Sequence, residues 1–424
     1  MIGLELEVEK LVPGGDGLAR LPDGQVVFLR GSAPGDRVRL LTLEKQRGTL
    51  RAEFELVSPS AQRVTPECPV AASCGGCDLM HVSREAELTQ KAAMLADALE
   101  RVGGVSGSAP ALLSAGDAQG YRSRVRFHVG RHGKLGFFAR GSHQLVEVPG
   151  CLVADPRINA ALAVIRRLAR RFPDALAGFS DVELRATQAG VVARFVSRDG
   201  IKPIAAEPLL RALAKELKVA ATEREAALLI EHRSAPGGLE LQIPADAFSQ
   251  INVAVNELLV RAVLDGAESR GLRSFCDLFA GVGNFALPLA RQGLTGVMIE
   301  KMPSAVEAAK RAALAQGLTG LKARAVDATR GLKDLVHEGQ RFELVLLDPP
   351  REGAPDVVAG IGGLEPRSVA YVACDPVTLA RDLKPLLAAG FKIASVSAFD
   401  MFPRTHHFET LVWLDRIPAP TPER

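Results

Sequence analysis

The chain reads as an α/β protein: a C-terminal doubly wound, Rossmann-like sheet, an N-terminal OB-like β-barrel, and a mixed α+β region between them. Three observations predict this. From residue 274 onward, short apolar strand-like runs alternate with helical patterns. The first of these runs enters its helix through a Gly-x-Gly turn, Phe279-Ala280-Gly281-Val282-Gly283-Asn284. Residues 1–57 hold only short strand-like pieces punctuated by Pro and Gly. At 424 residues the chain exceeds the usual size of one hydrophobic core, so three domains are expected, over 1–57, 58–245 and 246–424.

Composition narrows the class. Hydrophobic residues make up 47% and charged residues 24%, as in ordinary water-soluble proteins. No apolar run approaches the roughly 18 residues of a membrane-spanning helix. Glu5 and Glu7 stand where a signal peptide would be basic, so a cytoplasmic protein without membrane attachment is predicted, and a monomer is expected. The net charge is only +3, but its distribution is uneven. Arg37, Arg39, Lys45, Arg47 and Arg51 crowd the first domain, and Arg122, Arg124, Arg126, Arg131, His132, Lys134 and Arg140 form a second cluster. Such clusters suit a phosphate backbone, a solvated surface being the alternative for either one.

In the first domain Leu4-Leu6-Val8, Val26–Leu29, Val38–Leu41 and Leu50–Leu56 read as strands of a small five-stranded barrel. That fold either grips single-stranded nucleic acid or serves as a packing module. Cys68, Cys74 and Cys77 then fall within ten residues, and Cys151 follows a Pro-Gly turn in the same region. In a reducing compartment this spacing implies a metal or iron-sulfur site rather than disulfides, and thiolate chemistry alone permits zinc or [4Fe-4S]. Cys276, inside an apolar strand, reads as a core thiol.

Further along, a helix is expected over Glu85–Val102, and Tyr121–Val129 alternates as a strand with an arginine-rich face. Asp155-Pro156 is a helix start, with a capping carboxylate and proline at the first position. Residues 181–186 and 191–196 pattern as a hairpin. The C-terminal domain opens on Phe248-x-Gln250-x-Asn252 and continues as seven strands with helical crossovers. Glu300, Asp327 and Asp348 end three of the first four strands, where open α/β sheets bind ligands. A carboxylate 19 residues beyond Gly281 is placed to accept hydrogen bonds from a ribose diol. Such a row of acids suits adenosylmethionine better than a dinucleotide with its pyrophosphate. Cys374 ends another strand and Glu409 closes the loop between the last two strands, within reach of the same mouth, so a nucleophile and a base are expected there.

Taken together, the chain resembles the RNA uracil-5 methyltransferase family, in the branch that carries a TRAM barrel and a [4Fe-4S] cluster and acts on 23S ribosomal RNA. The resemblance covers residues 1–415 and rests on Cys68-x5-Cys74-x2-Cys77 with Cys151, Phe248-x-Gln250-x-Asn252, Asp277–Phe285, Asp348-Pro349-Pro350-Arg351, Cys374-Asp375-Pro376 and His407-Phe408-Glu409. It implies S-adenosyl-L-methionine bound by Gln250, Phe279, Gly281, Gly283, Asn284, Glu300, Asp327 and Asp348, with Glu300 on the ribose and Asp327 near the adenine. It also implies Cys374 as nucleophile, Glu409 as base, and a structural or RNA-positioning [4Fe-4S] cluster on the four cysteines. Arg122, Arg124, Arg126, Arg131 and Lys134 would grip the RNA around a flipped base. The sequence departs from the family at Asp375, where asparagine is usual, and at Ala280, where cysteine is common. A carboxylate facing the thiol would raise its pKa, so Asp375 is expected to point away. Methylation of transfer RNA, of cytosine C5 or of a small molecule, and a catalytically inactive iron-sulfur RNA-binding protein, are the competing readings.

Overall fold

A computed structural model describes residues 2–417 except 47, 108–109, 173, 188–189, 199–203, 218–227, 233–238 and 245. The apolar runs after residue 270 pair into one sheet: Ser274–Leu278 (β1), Thr295–Glu300 (β2), Leu321–Ala325 (β3), Leu344–Leu347 (β4), Ser368–Ala373 (β5), Phe391–Phe399 (β6) and Glu409–Arg416 (β7). Their order is β3-β2-β1-β4-β5-β7-β6. The first five are parallel, and β7 runs antiparallel between β5 and β6. Strand order reverses between β1 and β4, which opens a crevice at their carboxyl ends. Both faces of these strands are covered: Phe275, Cys276 and Leu278 of β1 and all four residues of β4 are buried, so Cys276 is a core thiol.

An eighth strand, Leu112–Leu113, runs parallel to β6 at the sheet's edge. Two residues carry no periodicity, which is why seven strands were expected. The helix before it, Arg84–Ala98, starts at Ser83, whose hydroxyl accepts from the Ala86 amide, and widens into a last turn over Leu99–Gly103. Its buried stripe, Met94, Leu95, Ala98 and Leu99, shares a core with Tyr371 of β5 and with Leu379 and Leu383 of helix Pro376–Ala388. The expected 58–245 domain is therefore interrupted, since Arg84–Gly103 and Leu112–Leu113 pack with the C-terminal sheet. Apolar burial assigned them there, and nothing in their own pattern named the partner.

The rest of the middle region is an antiparallel sheet in the order 145–147, 135–138, 124–129, 179–187 and 190–197. Val125, Phe127 and Val129 face Ile158, Leu162, Ile165 and Leu168 of helix Pro156–Arg171. The Asp155 carboxylate caps that helix, accepting from the Arg157 amide at 2.8 Å.

The N-terminal unit has more strands than predicted. Eight short strands form a three-stranded and a five-stranded sheet around Val8, Leu21, Val27, Leu29, Val38 and Leu40. Three residues of its basic cluster are paired within the unit: Arg37 and Arg39 with Glu5, Arg39 also with Glu55, and Arg51 with Asp16. Arg47, counted in that cluster, lies outside the described residues. Among the described residues no helix is long and apolar enough to cross a membrane.

Candidate active site

The glycine turn is shaped by backbone that most residues avoid. Phe279, Gly281 and Gly283 all have positive φ (64°, 57° and 87°), and a left-handed Phe costs about 1–2 kcal/mol. Glu300, at the tip of β2, offsets this by holding the turn: its carboxylate accepts from the Gly281 amide at 3.0 Å and the Met302 amide at 2.9 Å. Asn284 forms a reciprocal amide pair with Asn256 of helix Val253–Ser269, at 2.9 and 3.0 Å. Asp327 is exposed beyond β3, and its carboxylate caps helix Ala328–His337 through the Thr329 and Arg330 amides.

Behind the turn the acids crowd. Asp277 is fully buried and neither oxygen has a hydrogen bond of normal geometry, although the Ala286 amide lies near enough to favour its ionised form weakly. Burial first, then the charges of Asp348 and Glu300, push its carboxyl well above the usual range. Burial raises Asp348 to about 7, opposed by a hydrogen bond from the Gln250 side chain. Gln250 is 7% exposed and its Oε1 has no partner, an acceptor left for a ligand donor.

Cys374 and Glu409 meet by register. Ala373 of β5 stands opposite Thr410 of β7, and one step further along this antiparallel ladder puts Cys374 opposite Glu409. Directly opposed residues project to the same face. Glu409 also acts on the Cys374 thiol electrostatically, and both feel Asp348 and Arg351. Burial and then Glu409 raise the Cys374 thiol to about 12, Arg351 opposes, and Asp348 and Asp375 add smaller increments. Glu409 is 3% exposed with Oε2 unpartnered, and burial followed by Asp348 holds it well above the carboxylate range, again against Arg351. Asp375 turns its carboxylate to the helix, where it accepts from the Val377 and Thr378 amides at 2.9 Å each. Its effect on the thiol is the weakest of the acids.

Arg351 is the residue that sequence reasoning missed: it was quoted in a motif without a role. Its Nη2 donates to Nε2 of His407 at 3.2 Å. Burial, His406 and Arg351 itself hold His407 down to about 3, so the ring is a neutral acceptor. A guanidinium across the mouth from a cysteine and two acids has no periodicity to betray it.

A thiol and a carboxyl opposed at a crevice, beside a glycine turn and unpartnered acceptors, describe a site for group transfer by a cysteine nucleophile. Known proteins are similar to this chain along nearly its whole length. The family model for tRNA (uracil-5-)-methyltransferases matches residues 210–417, and the TRAM domain matches residues 4–54. The 23S rRNA (uracil(1939)-C(5))-methyltransferase RlmD of Pectobacterium atrosepticum is 33% identical over 421 residues, 96% of this chain and 92% of that protein. The chain belongs to the RNA uracil-5 methyltransferase family. The RlmD protein of Shewanella sediminis is 32% identical over 96% of this chain and 94% of its own. The crystal structure of Pyrococcus abyssi tRNA (uracil-54, C5)-methyltransferase with S-adenosyl-L-homocysteine has the same fold, with a TM-score of 0.72 at 22% identity over 97% of this chain and all of that one.

In this methyltransferase Cys68, Cys74, Cys77 and Cys151 line one cavity with Arg122 and otherwise mainly apolar side chains. The thiols feel one another: burial raises Cys77 to about 12 and raises Cys74 and Cys151, with neighbouring cysteines adding to each and Arg122 opposing. As a donor set this fits a thiolate-bound centre. Among the described residues no three Cys, His, Asp or Glu side chains close on a point at metal-ligating distance. Arg122, predicted on the RNA face, is instead committed here, with its Nε donating to the Tyr121 hydroxyl at 3.3 Å. Arginine alternation ran on through Arg122, but the strand begins only two residues later, at Arg124.

The basic face itself is larger than predicted. Register groups Arg124 and Arg126 with Glu183, Arg185 and Arg194 on one side of the middle sheet. Arg185 is buried, brought down to about 10 chiefly by burial and Arg124, and leaves Nη1 unpartnered. Arg124 lies 5.5 Å from the ring of Phe248, which is 57% exposed. Both Arg124 and Arg185 reach the Ala247 carbonyl, next to the segment that carries Gln250. Arg131 and Lys134 are exposed at the far end of the strand, Lys134 beside Glu147.

Proposed function

We propose that this protein methylates C5 of a uridine in 23S ribosomal RNA, in the cytoplasm and as a monomer, with S-adenosyl-L-methionine as donor. The observation that carries the reading is the opposition of Cys374 and Glu409 across β5 and β7 at the acid-lined crevice. The near full-length relatives named for 23S rRNA support the substrate. C5 of uracil is too weak a nucleophile unaided. Cys374 Sγ adds to C6, which moves the ring's π electrons towards C5 and O4. When bound, the donor supplies an electrophilic methyl carbon; C5 takes it as the sulfonium S–C bond breaks, its electron pair staying on sulfur in the departing S-adenosylhomocysteine. Glu409 then removes the C5 proton, the electron pair restores the C5–C6 double bond, and Sγ leaves as thiolate.

The donor side falls to Phe279 and the Gly281 and Gly283 backbone, with Glu300 exchanging its hold on Gly281 for ribose hydroxyls, and Asp327 nearer the adenine. Gln250, Asn284 and Asp348 complete this set. The middle sheet face, through Arg124 and Arg126 with Arg131 and Lys134 beyond, offers cations to phosphates, and exposed Phe248 offers a stacking surface. The barrel over 1–57 adds a further grip on RNA. The test is incubation with RNA from cells lacking this gene, followed by mapping of the new methyl mark. One 5-methyluridine in 23S rRNA is expected; 5-methylcytidine, or a mark confined to transfer RNA, would replace the reading.

Both deprotonations work against burial, and Arg351 favours both. Without its cation, Cys374 and Glu409 keep their protons to higher pH, so the limb of the pH–rate profile that rises with pH moves upward. Arg351→Ala is expected to lose about tenfold at neutral pH for each unit of that displacement, and to regain part of it in alkaline buffer. A single-turnover pH profile that falls in parallel at every pH would contradict this role.

On the same footing, the four cysteines hold a [4Fe-4S] cluster. Protein purified without oxygen should contain iron and acid-labile sulfide in equal amounts, and Cys77→Ser should lose both. Stoichiometric zinc in their place would refute it.

A further inference from the structure

The loop that delivers Glu409, Asp400–Phe408 between β6 and β7, is held chiefly by a segment more than 300 residues earlier. The amides of Asp78 and Leu79 donate to the Arg404 carbonyl at 3.2 and 3.0 Å. The His406 amide donates to Asp78 Oδ1 at 2.8 Å, and the His406 ring lies against Asp78 Oδ2. Arg140 approaches the same carboxylate. Arg404 sits in the left-handed region (φ 67°), so these contacts offset local backbone strain. The loop's other end is clamped too. Asp400 is fully buried against Lys91 at 2.6 Å and against Arg84, while the Arg404 amide donates to Glu87 at 2.8 Å.

Asp78 directly follows Cys77, which lines the thiol cavity. From it a continuous line of contacts reaches the reaction centre. His406 bonds to Asp78, its ring lies 3.8 Å from that of His407, and His407 accepts from Arg351, the cation facing Cys374 and Glu409. A second line joins the same places, from Arg122 in the cavity through the Tyr121 hydroxyl to the Pro403 carbonyl at 2.9 Å.

We propose that Asp78 is a positioning residue for the base: it sets the loop that aims Glu409, and so ties the thiol-lined cavity to the last half of the reaction. The inference rests on the reading of Glu409 as the base. Cys374 is carried by β5, independently of this loop. Damage at Asp78 should therefore spare addition and methyl transfer and fall on proton removal and release. Displacing a reacting group by about 1 Å can cost on the order of a hundredfold.

The test uses full-length protein, a 23S rRNA transcript and S-adenosylmethionine. Single-turnover methyl incorporation is followed beside the lifetime of the denaturant-stable RNA–protein adduct. Asp78→Ala is expected to incorporate the first methyl group within about twofold of the unmodified enzyme, with an adduct lifetime at least about tenfold longer. Where release limits turnover its kcat should fall by the same factor with kcat/KM for RNA unchanged, so that KM falls in parallel. Asp78→Asn, which keeps an acceptor for the His406 amide, should recover part of the loss. Bound iron in each variant checks that the thiol cavity itself is intact. If Asp78→Ala does not fold or loses iron, His406→Ala, whose side chain lies outside the cavity, carries the same expectation. Glu409→Gln is the control: failure to trap an adduct there overturns the reading of Glu409 itself. If Glu409→Gln traps but the Asp78 and His406 variants release RNA normally, or lose both halves equally, the positioning role is overturned.

Discussion

Cys374→Ala is expected to lose methyl transfer by about 10⁴-fold or more and to form no denaturant-stable adduct with RNA. The expectation follows from what the sulfur does to the substrate. Without addition at C6, C5 stays a vinylic carbon with little electron density, and a nearby methyl donor gains nothing from proximity alone. The residue lies just past the end of β5 and is only partly buried, so its truncation to alanine should disturb little else. Affinity for adenosylhomocysteine, read by calorimetry, should stay within about twofold, because the glycine turn and Glu300 are untouched. Measurable multiple turnover by the variant would remove covalent activation from the mechanism.

Glu409→Gln should separate the two halves of the reaction. The amide keeps the shape and the cross-strand position opposite Cys374, but cannot accept the C5 proton. A first methyl group should therefore reach the RNA, while release stalls and the methylated adduct accumulates, with kcat lowered by about 10²–10⁴-fold. Unmodified Glu409 must itself ionise to act, and burial and Asp348 oppose this. The rate of release in the native enzyme should accordingly rise with pH, and the variant should lose that dependence. Release from Glu409→Gln at the native rate would assign the base to another group.

Much of the architecture was legible because periodicity and chain-end chemistry report on local structure. The alternation of β1 to β7 with helices, the Asp155 cap and the buried face of helix Pro156–Arg171 needed only nearest-neighbour rules. Where the reading failed, the cause was contact between distant segments. Leu112–Leu113 joins the C-terminal sheet through pairing with β6, and Arg84–Ala98 packs beneath it, neither of which a local pattern encodes. The site divides in the same way. Cys374, Glu300 and Asp348 stand at strand tips that sequence could place, whereas Glu409, expected in the loop before the last strand, opens β7 itself. Arg351, His407 and Asp78 matter through what faces them, and Arg122, two residues before the strand begins, lines a cavity instead of continuing the strand's face.

The reversed direction of β7 has a geometric consequence. Were it parallel to β5, the beginning of one strand and the end of the other would sit at opposite edges of the sheet, about 20 Å apart for six residues at 3.3 Å each. Turning that single strand around brings a leading end and a trailing end to the same rim, so two functional groups drawn from different stretches of chain can straddle one flat ring. Slipping this ladder by one position would swing the carboxyl to the other side of the layer, so insertions or deletions within residues 400–408 should be far less tolerable than their place in a loop suggests.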